Sequence, residues 1–295
     1  MGLGGYLTWT AVARELNKKY GQMMIPIDMF IGKGSDGSSI PLVKLKMNKI
    51  FYNNPHIIQE FSKKEGVLSR EHGIQVQINS ENASYCKSDM IDKVVHKSDR
   101  HIIETACLAA GIKNPELKCE IYLDEKEKRD VKELVKEIDG DFITVEPYSK
   151  KEYTVNREYP FEKWQKIVNE LSMYIKVVQL GIPESRLLDN VIDFRGRTTF
   201  RTAGGIIGQS IFLISTEGGL THLATAFKTP AVVIITGYQS KKMVSYPQNF
   251  YIDISSHGPC GLKSQCLDCK KDAESHDFKE VSSLALKFLK NAEVI

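Results

Sequence analysis

The sequence lacks the long apolar run of about 20 residues that a membrane-spanning helix requires. Its N-terminus also lacks a charged segment followed by an apolar one, which is the pattern of a signal peptide. We therefore expect a cytoplasmic protein. The sequence shows no internal repeat and no low-complexity tract, so neither a repeat architecture nor a long disordered region is indicated.

A large charge of one sign is absent as well. The 40 Lys and Arg residues and the 37 Asp and Glu residues leave a net charge of +3 at pH 7. This excess is too small to indicate a nucleic-acid partner. Mild positive charge still suits an anionic small molecule, or peripheral contact with the inner face of a membrane.

Apolar material sufficient for a core is present, because 42% of the 295 residues are hydrophobic. The second half alternates short apolar strands with helices, which predicts a doubly wound α/β domain built on a parallel sheet. The predicted strands are 142–147, 175–181, 211–215 and 231–237, and the predicted helices are 160–173, 199–210 and 220–227.

The first half reads as a second, less regular α/β region. Its predicted elements are a helix at 10–21, strands at 23–31 and 74–79, and a helix at 101–112. Pro26 indicates that the first of these strands lies at an edge or starts irregularly. A charged helix at 125–140 suits a domain boundary, so we predict domains at 1–135 and 136–295, facing a cleft.

One stretch, ISTEGGLTHLATAFKTPAVVIITG (214–237), indicates a binding site. Ligands of open parallel sheets bind at the carboxyl ends of the strands, and Gly218 and Gly219 follow such an end. Without Cβ atoms they let a diphosphate approach the backbone, and the free N–H groups of the next helix favour phosphate. His222 can donate to a phosphate or a sugar hydroxyl, and Glu217 can accept from sugar hydroxyls. The pattern predicts a nucleotide-sugar site.

The same stretch resembles the signature of the heptosyltransferase-type glycosyltransferases of family 9. That signature runs as a strand, Asp-Thr-Gly, two residues, His, a short Ala-containing stretch, Thr or Lys before Pro, a second strand and Gly. The spacing matches through Gly237, with Glu217 in place of the family's Asp and Gly218 in place of its Thr.

Other segments resemble the family too. They are MGLGGYLTWTAVAREL (1–16), which is similar to its Gly-rich turn and first helix, NREYPFEKW (156–164), and DFRGRTTFRTAGGIIGQS (193–210). In the second of these, Arg157 stands where the family has a phosphate-binding Lys.

The resemblance implies a GT-B fold, with two Rossmann-like domains facing a cleft. The N-terminal domain would lie on the acceptor side, here without its first strand. The C-terminal domain would bind the donor and end in a cysteine-containing loop and a closing helix. The implied reaction is transfer of a sugar, heptose or similar, from a nucleotide diphosphate to a lipopolysaccharide-type glycan. The sugar would be inverted, and no metal would take part in the chemistry.

The expected catalytic base is the main departure from the family. The family's N-terminal turn has an Asp at the position of Gly5, and no carboxylate precedes Glu15 here. Asp28 and Asp36 are the nearest substitutes for a general base. Two alternatives therefore stay open beside the transferase: a catalytically impaired protein that binds a nucleotide sugar or glycan, and a sugar-nucleotide epimerase.

The six cysteines divide into two groups. We expect three isolated ones, Cys86, Cys107 and Cys119, to be buried or half-buried thiols. The C-terminal group has metal-ligand spacing and comprises His257, Cys260, Cys266 and Cys269. These four could form a structural Cys3His site for zinc or iron. Reduced thiols in a loop explain the pattern equally well.

Overall fold

The computed structural model describes residues 2–33, 35–59, 73–78, 100–148 and 153–294. In the first half the elements are α1 (Leu3–Tyr20), β1 (Met24–Lys33), β2 (Ser39–Leu45), a 3-10 turn (Lys49–Phe51), β3 (Ile74–Gln77), α2 (Ile102–Ala109) and α3 (Glu125–Lys136). Of the helices in these ranges, none has both the length and the apolar character needed to cross a bilayer.

The second half alternates strands and helices through most of its length, and only its last two elements are consecutive helices. Its elements are β4 (Phe142–Glu146), α4 (Phe161–Leu171), β5 (Lys176–Gln179), β6 (Ile192–Asp193), α5 (Phe200–Gln209), β7 (Leu213–Thr216), α6 (Gly219–Ala226), β8 (Ala231–Ile235), α7 (Lys241–Val244), β9 (Phe250–Asp253), α8 (Leu267–Ser275) and α9 (Lys279–Asn291). The sequence did not predict β2, β9, α7 or α8.

The six strands of the second half form one parallel sheet in the order β6-β5-β4-β7-β8-β9. The chain runs outward from β4 in one direction and from β7 in the other, which is the doubly wound order. The predicted parallel sheet is confirmed. The reversal between β4 and β7 leaves a crevice at their carboxyl ends, the usual ligand position in such a sheet.

Both faces of this sheet are covered, which explains the near-continuous apolar strands. One face packs against α4 and α9 through a cluster that includes Ile143, Ile214, Trp164 and Leu289, all fully or nearly fully buried. The other face carries α5 and α6, and its buried cluster continues into the first half.

Helix α1 connects the two halves, because it packs against α2 on one side and α6 on the other. It begins at Leu3, so the predicted Gly-rich turn before residue 10 is the first part of the helix. The helix ends where the sequence indicates: Gly21 adopts a left-handed conformation with φ 66° and donates its N–H to Asn17 O.

The described part of the first-half sheet has the order β2-β1-β3, with β2 antiparallel and β3 parallel to β1. Of the two alternatives expected for Pro26, an edge position is wrong in the described part of the sheet, since β1 lies between β2 and β3. Pro26 O accepts from Lys46 N just beyond the end of β2, so the missing N–H falls where that pairing stops.

Helix α3 lies at the predicted domain boundary and packs against α5 of the second half. It is a charged helix with one buried side chain, Val131. A Cβ on Gly205 of α5 would lie 2.4 Å from Val131 Cγ2 and 3.0 Å from Leu123 Cδ1. Gly205 therefore lets the two helices approach closely. The division of the chain at residue 135 stays a prediction.

A Gly205→Leu substitution should lower the free energy of unfolding by about 1–3 kcal/mol, because a side chain cannot fit between the helices. Urea unfolding followed by circular dichroism measures the change. Val131→Ala should relieve part of the clash, so the double variant should lose less stability than the sum of the single variants. Additive losses would contradict this packing.

Candidate functional site

The candidate site lies at the carboxyl edge of the second sheet, at the reversal between β4 and β7. Register pairs Glu146, the last residue of β4, with Ser215 of β7, so both strands end at the same place. The Gly218–Gly219 turn and the start of α6 follow β7 directly. The structure therefore brings the predicted glycine turn to the crevice where ligands of this sheet type bind.

Neither Gly218 nor Gly219 has the positive φ that favours glycine, so their conformation does not require glycine. Their lack of a side chain instead lets a ligand reach the backbone. Gly218 caps α6, and a Cβ there would meet nothing nearer than Thr216 O at 3.9 Å. A Cβ on Gly219 would lie 3.2 Å from Phe200 Cε2. Open space at Gly218 and the N–H groups of the first turn of α6, which have no partner within the helix, form a site suited to an anion.

A second helix N-terminus meets this turn. A Cβ on Gly4, in the first turn of α1, would lie 3.1 Å from Gly219 Cα and 3.0 Å from His222 Cδ2. The starts of α1 and α6 therefore touch through glycine backbone. The positive ends of two helix dipoles converge there, which favours a negatively charged ligand.

Glu217 lies behind the turn rather than in front of it. Its side chain is 1% exposed and bonds to Thr236, whose N–H lies 3.2 Å from Oε2 and whose Oγ1 lies 3.1 Å from Oε1. Thr236 has one hydroxyl hydrogen, and Asn156 O lies closer to that hydroxyl, at 2.8 Å. Burial raises the pKa of Glu217 to about 7, although the charge of Arg157 opposes the shift. A protonated Glu217 would donate to Thr236 Oγ1.

A second carboxyl at the same edge, Glu146, was not identified from the sequence. Burial raises its pKa to about 8, so it is mostly neutral at pH 7. Two carboxyls therefore stand near the crevice with less negative charge at pH 7 than two ordinary glutamates would carry, since Glu146 is mostly neutral and Glu217 is only partly ionised. This reduces the repulsion that ionised carboxylates would exert on a phosphate.

His222 lies on the first turn of α6, as predicted, and is half-buried. Its Nδ1 lies 2.5 Å from Tyr246 Oη, which in turn lies 3.5 Å from Cys119 Sγ. Burial and then the charge of Arg157 lower the pKa of His222 to about 4, so the ring is neutral at pH 7. When Tyr246 donates to Nδ1, Nε2 carries the hydrogen and can act as a donor.

His101, which caps α2, packs edge-on against Tyr246 with ring centroids 4.7 Å apart. It is 2% exposed, and its Nε2 has no hydrogen-bond partner among the described residues. Burial lowers its pKa to about 3, followed by the effect of His222. His101 therefore adds a neutral ring, not a charge, where the two halves meet.

Arg157 supplies the positive charge of the site. One guanidinium nitrogen, Nη2, donates to Gln239 Oε1 at 2.6 Å, and the group lies over the rings of Tyr238 and Tyr153 at 4.8 and 5.3 Å. No carboxylate forms an ion pair with it in the described part of the chain, and its buried Nε has no partner there. Its charge acts on both Glu217 and His222. An unpaired arginine held by neutral groups is suited to bind an anion.

Three residues of the predicted C-terminal group come together, and the fourth, Cys260, contacts one of them. The ligand atoms of His257, Cys266 and Cys269 all lie within 4.8 Å of one another. Cys260 Sγ lies 3.5 Å from Cys269 Sγ, and His257 Nε2 lies 3.5 Å from Cys269 and 3.9 Å from Cys266. We refer to these four residues as the Cys/His cluster. Cys107 and Cys119 are buried, as expected, and Cys86 lies outside the described residues.

Two contacts in the Cys/His cluster, His257 Nε2 to Cys269 Sγ and Cys260 Sγ to Cys269 Sγ, both at 3.5 Å, match the ligand separations around a tetrahedral metal ion. Metal–sulfur bonds of about 2.3 Å and metal–nitrogen bonds of about 2.0 Å place neighbouring ligand atoms roughly 3.5–3.8 Å apart. His257 Nδ1 lies 3.1 Å from Asp272 Oδ2, which directs Nε2 toward the thiols. Such a carboxylate behind the imidazole is typical of metal-binding histidines.

A cavity of about 680 Å³ opens beside this edge of the sheet. It lies under Pro147 and Tyr148, just beyond β4, and reaches Glu184 beyond β5. Four glutamates and two cations line it: Glu158, Glu162, Glu184, Glu274, Arg186 and Lys270. This lining suits hydroxyl groups better than phosphate, because carboxylates accept hydrogen bonds from hydroxyls and repel anions.

The candidates for a catalytic base lie elsewhere. Gly5 is buried in α1, where Thr8 Oγ1 donates to its carbonyl at 2.8 Å. Asp28 lies on β1 and pairs with Lys46 at 2.7 Å. Asp36 lies in the β1–β2 turn, and its hydrogen bonds to Ser38 lower its pKa. Both carboxylates are engaged within the β1–β2 hairpin.

Replacing Glu217 by Gln should change how stability depends on pH. The pKa of Glu217 is raised from 4.5 to about 7 in the folded protein, so stability is lost as pH rises between those values. Glu217→Gln removes this loss, and its stability relative to the parent should increase by up to roughly 3 kcal/mol from pH 4.5 to pH 7.5. Denaturant unfolding across this range measures the difference. A pH-independent effect of Glu217→Gln would contradict a buried carboxyl with a raised pKa.

The sequence matches no family model and no curated protein. Solved structures do match along nearly the whole chain. A family 9 glycosyltransferase from Veillonella parvula is similar over 99% of this chain and 95% of its own, with 13% identity and a TM-score of 0.67. The ADP-heptose lipopolysaccharide heptosyltransferase II of E. coli matches over 99% and 97%, with 13% identity and a TM-score of 0.66.

TibC, an iron-containing dodecameric glycosyltransferase from enterotoxigenic E. coli, matches over 99% of this chain and 74% of its own, with 13% identity and a TM-score of 0.64. TibC in complex with ADP-D-β-D-heptose matches with a TM-score of 0.61. At this level of identity the similarity establishes the fold. The chain therefore has the GT-B fold of the heptosyltransferase-type glycosyltransferases, as the resemblance in its sequence implied.

Proposed function

We propose that this chain is a glycosyltransferase that moves a sugar, heptose or similar, from a nucleotide diphosphate to a glycan or glycolipid acceptor. The observation that carries the proposal is the meeting of two helix N-termini at Gly4 and Gly219, near an arginine that has no carboxylate partner among the described residues. These groups suit a diphosphate, both as part of the bound donor and as the leaving group of the reaction. Structural neighbours that act on or bind ADP-heptose favour ADP as the nucleotide.

In this proposal the α6 N–H groups hold the diphosphate at Gly218, and Arg157 neutralises charge that develops as the sugar departs. His222, neutral and oriented by Tyr246, donates from Nε2 to a phosphate or to a sugar hydroxyl. Glu217 stabilises the turn from inside through Thr236. The cavity beyond β4 and β5 receives the nucleoside, whose hydroxyls suit its glutamates. No metal takes part in the chemistry.

The acceptor hydroxyl needs a base, for which Asp28 and Asp36 remain the proposed candidates in the first half. Asp28 would have to release Lys46 to act. The absence of a carboxylate at Gly5 favours an alternative function, a nucleotide-sugar-binding protein without turnover. Release of free nucleotide in the presence of acceptor separates the two functions, because a binding protein would retain the donor intact.

The Arg157→Ala substitution should weaken binding of ADP-heptose by about 1.5–3 kcal/mol, the usual contribution of a hydrogen bond to a charged group. Isothermal titration calorimetry of parent and variant measures the loss. Arg197→Ala is a matched control, because Arg197 pairs with Glu137 in the second half. Equal affinities of the parent and Arg157→Ala for nucleotide diphosphate sugars would contradict the assignment.

We also propose that the Cys/His cluster holds one structural zinc or iron ion, supported by its tetrahedral spacing and by the iron that the structural neighbour TibC contains. Protein purified without a metal-affinity tag should contain close to one such ion per chain by elemental analysis. The double variant Cys266→Ser, Cys269→Ser should lose the ion and melt at a lower temperature. Cys107→Ala should keep the ion. A parent that is free of metal and unaffected by chelator would instead support reduced thiols.

A further inference from the structure

Asn156 lies between the Cys/His cluster and the proposed diphosphate site. It is 4% exposed and directly precedes Arg157. Its side-chain Nδ2 donates to Leu262 O and to Ser264 O, both at 2.8 Å. Its Oδ1 accepts from the N–H of Cys266 at 2.8 Å. All three side-chain hydrogen bonds therefore go to the segment that carries the cluster cysteines.

The same segment also holds the loop that follows β8. Cys260 N–H donates to Gly237 O at 2.8 Å, and Gly261 N–H donates to Tyr238 O at 3.0 Å. Gly237 has φ +93°, and a Cβ there would lie 3.3 Å from Cys269 Sγ, so this loop passes directly against the cluster.

Arg157 is held in place both by Asn156 and by the loop that follows β8. Its backbone follows Asn156, and its guanidinium contacts Tyr238 and Gln239 in the loop after β8. Thr236 links the loop after β8 to Asn156, because its hydroxyl donates to Asn156 O at 2.8 Å. The position of Arg157 thus depends on the loop after β4 and the loop after β8. Both loops are hydrogen-bonded to the segment that carries the cluster cysteines.

The segment that carries the cluster cysteines has no regular structure of its own. From Ser256 to Gln265 it contains neither helix nor strand, so its path is fixed by hydrogen bonds to neighbouring loops and by contacts within the Cys/His cluster. A bound metal would replace several weak thiol contacts with coordination bonds and hold Leu262, Ser264 and Cys266 in position. Without it, the partners of Asn156 would be held by fewer contacts.

We propose that Asn156 is a positioning residue that ties the Cys/His cluster to Arg157, so that metal in the cluster sets the affinity of the site for a nucleotide diphosphate. The affinity part rests on the proposed function. The mechanical part, that metal and Asn156 order the two loops around Arg157, does not depend on any ligand.

Hydrogen–deuterium exchange of the ligand-free protein tests the mechanical part. Removing metal from the parent with a chelator should speed exchange at 153–159 and 236–241. Asn156→Ala should show the same faster exchange while it retains its metal by elemental analysis. Asn249→Ala is the matched control, because Asn249 is a buried amide bonded to Ala231 and Tyr251, away from the cluster. Unchanged exchange at both segments in the chelated parent would overturn the inference.

Titration with ADP-heptose tests the affinity part. Asn156→Ala should bind at least about tenfold more weakly than the parent, a change of about 1.4 kcal/mol. Adding Asn156→Ala to Arg157→Ala should weaken binding little further, because both act through one guanidinium. Parent-like affinity in metal-loaded Asn156→Ala, or full additivity, would overturn the coupling. A parent that binds no nucleotide diphosphate sugar would contradict the proposed function and leave the exchange result to decide the mechanical part.

Discussion

The close contact between Gly4 and Gly219 is the constraint on which the architecture of the site depends. The starts of the two helices can approach this closely because Gly4 carries no side chain, since a Cβ on Gly4 would lie 3.1 Å from Gly219 Cα. The contact brings the first half of the chain against the carboxyl edge of the second sheet. It also combines two helix N-termini, so the geometry that joins the halves generates the positive potential of the crevice.

The charge of the site is set by Arg157 and by the burial of the acids and histidines near it, which shifts their pKa values toward the neutral forms. Ionised carboxylates at Glu146 and Glu217 would offset the charge of Arg157, but burial raises the pKa values of both acids to about 8 and about 7. His222 and His101 are neutral for the same reason, since burial lowers the pKa of a histidine. Arg157 is thereby left as the main full charge among the described residues of the site. An anionic ligand could pair with it without displacing an ion pair within the described part of the chain.

Two kinds of interaction hold the sheet and the loops around Arg157 in place. The parallel sheet and its helices are held by apolar packing on both faces, which does not specify where each strand-end loop lies. The loops that surround Arg157 are instead held by directional contacts through Asn156, Thr236 and the Cys/His cluster. Because hydrogen bonds and metal coordination fix distances and angles, they can place a guanidinium where packing alone cannot.

The sequence by itself determined most of the strands and helices of the second half, though not β9, α7 or α8, together with the position of the Gly218–Gly219 turn and the grouping of the Cys/His cluster. Each of these is encoded within about 15 neighbouring residues by periodicity, glycine placement or ligand spacing. Only the tertiary structure decided that Glu217 turns inward to Thr236, that Tyr246 orients His222 and that Asn156 joins Arg157 to Cys266. Those contacts join residues 19 to 110 positions apart, so their chemistry depends on which elements the fold brings together.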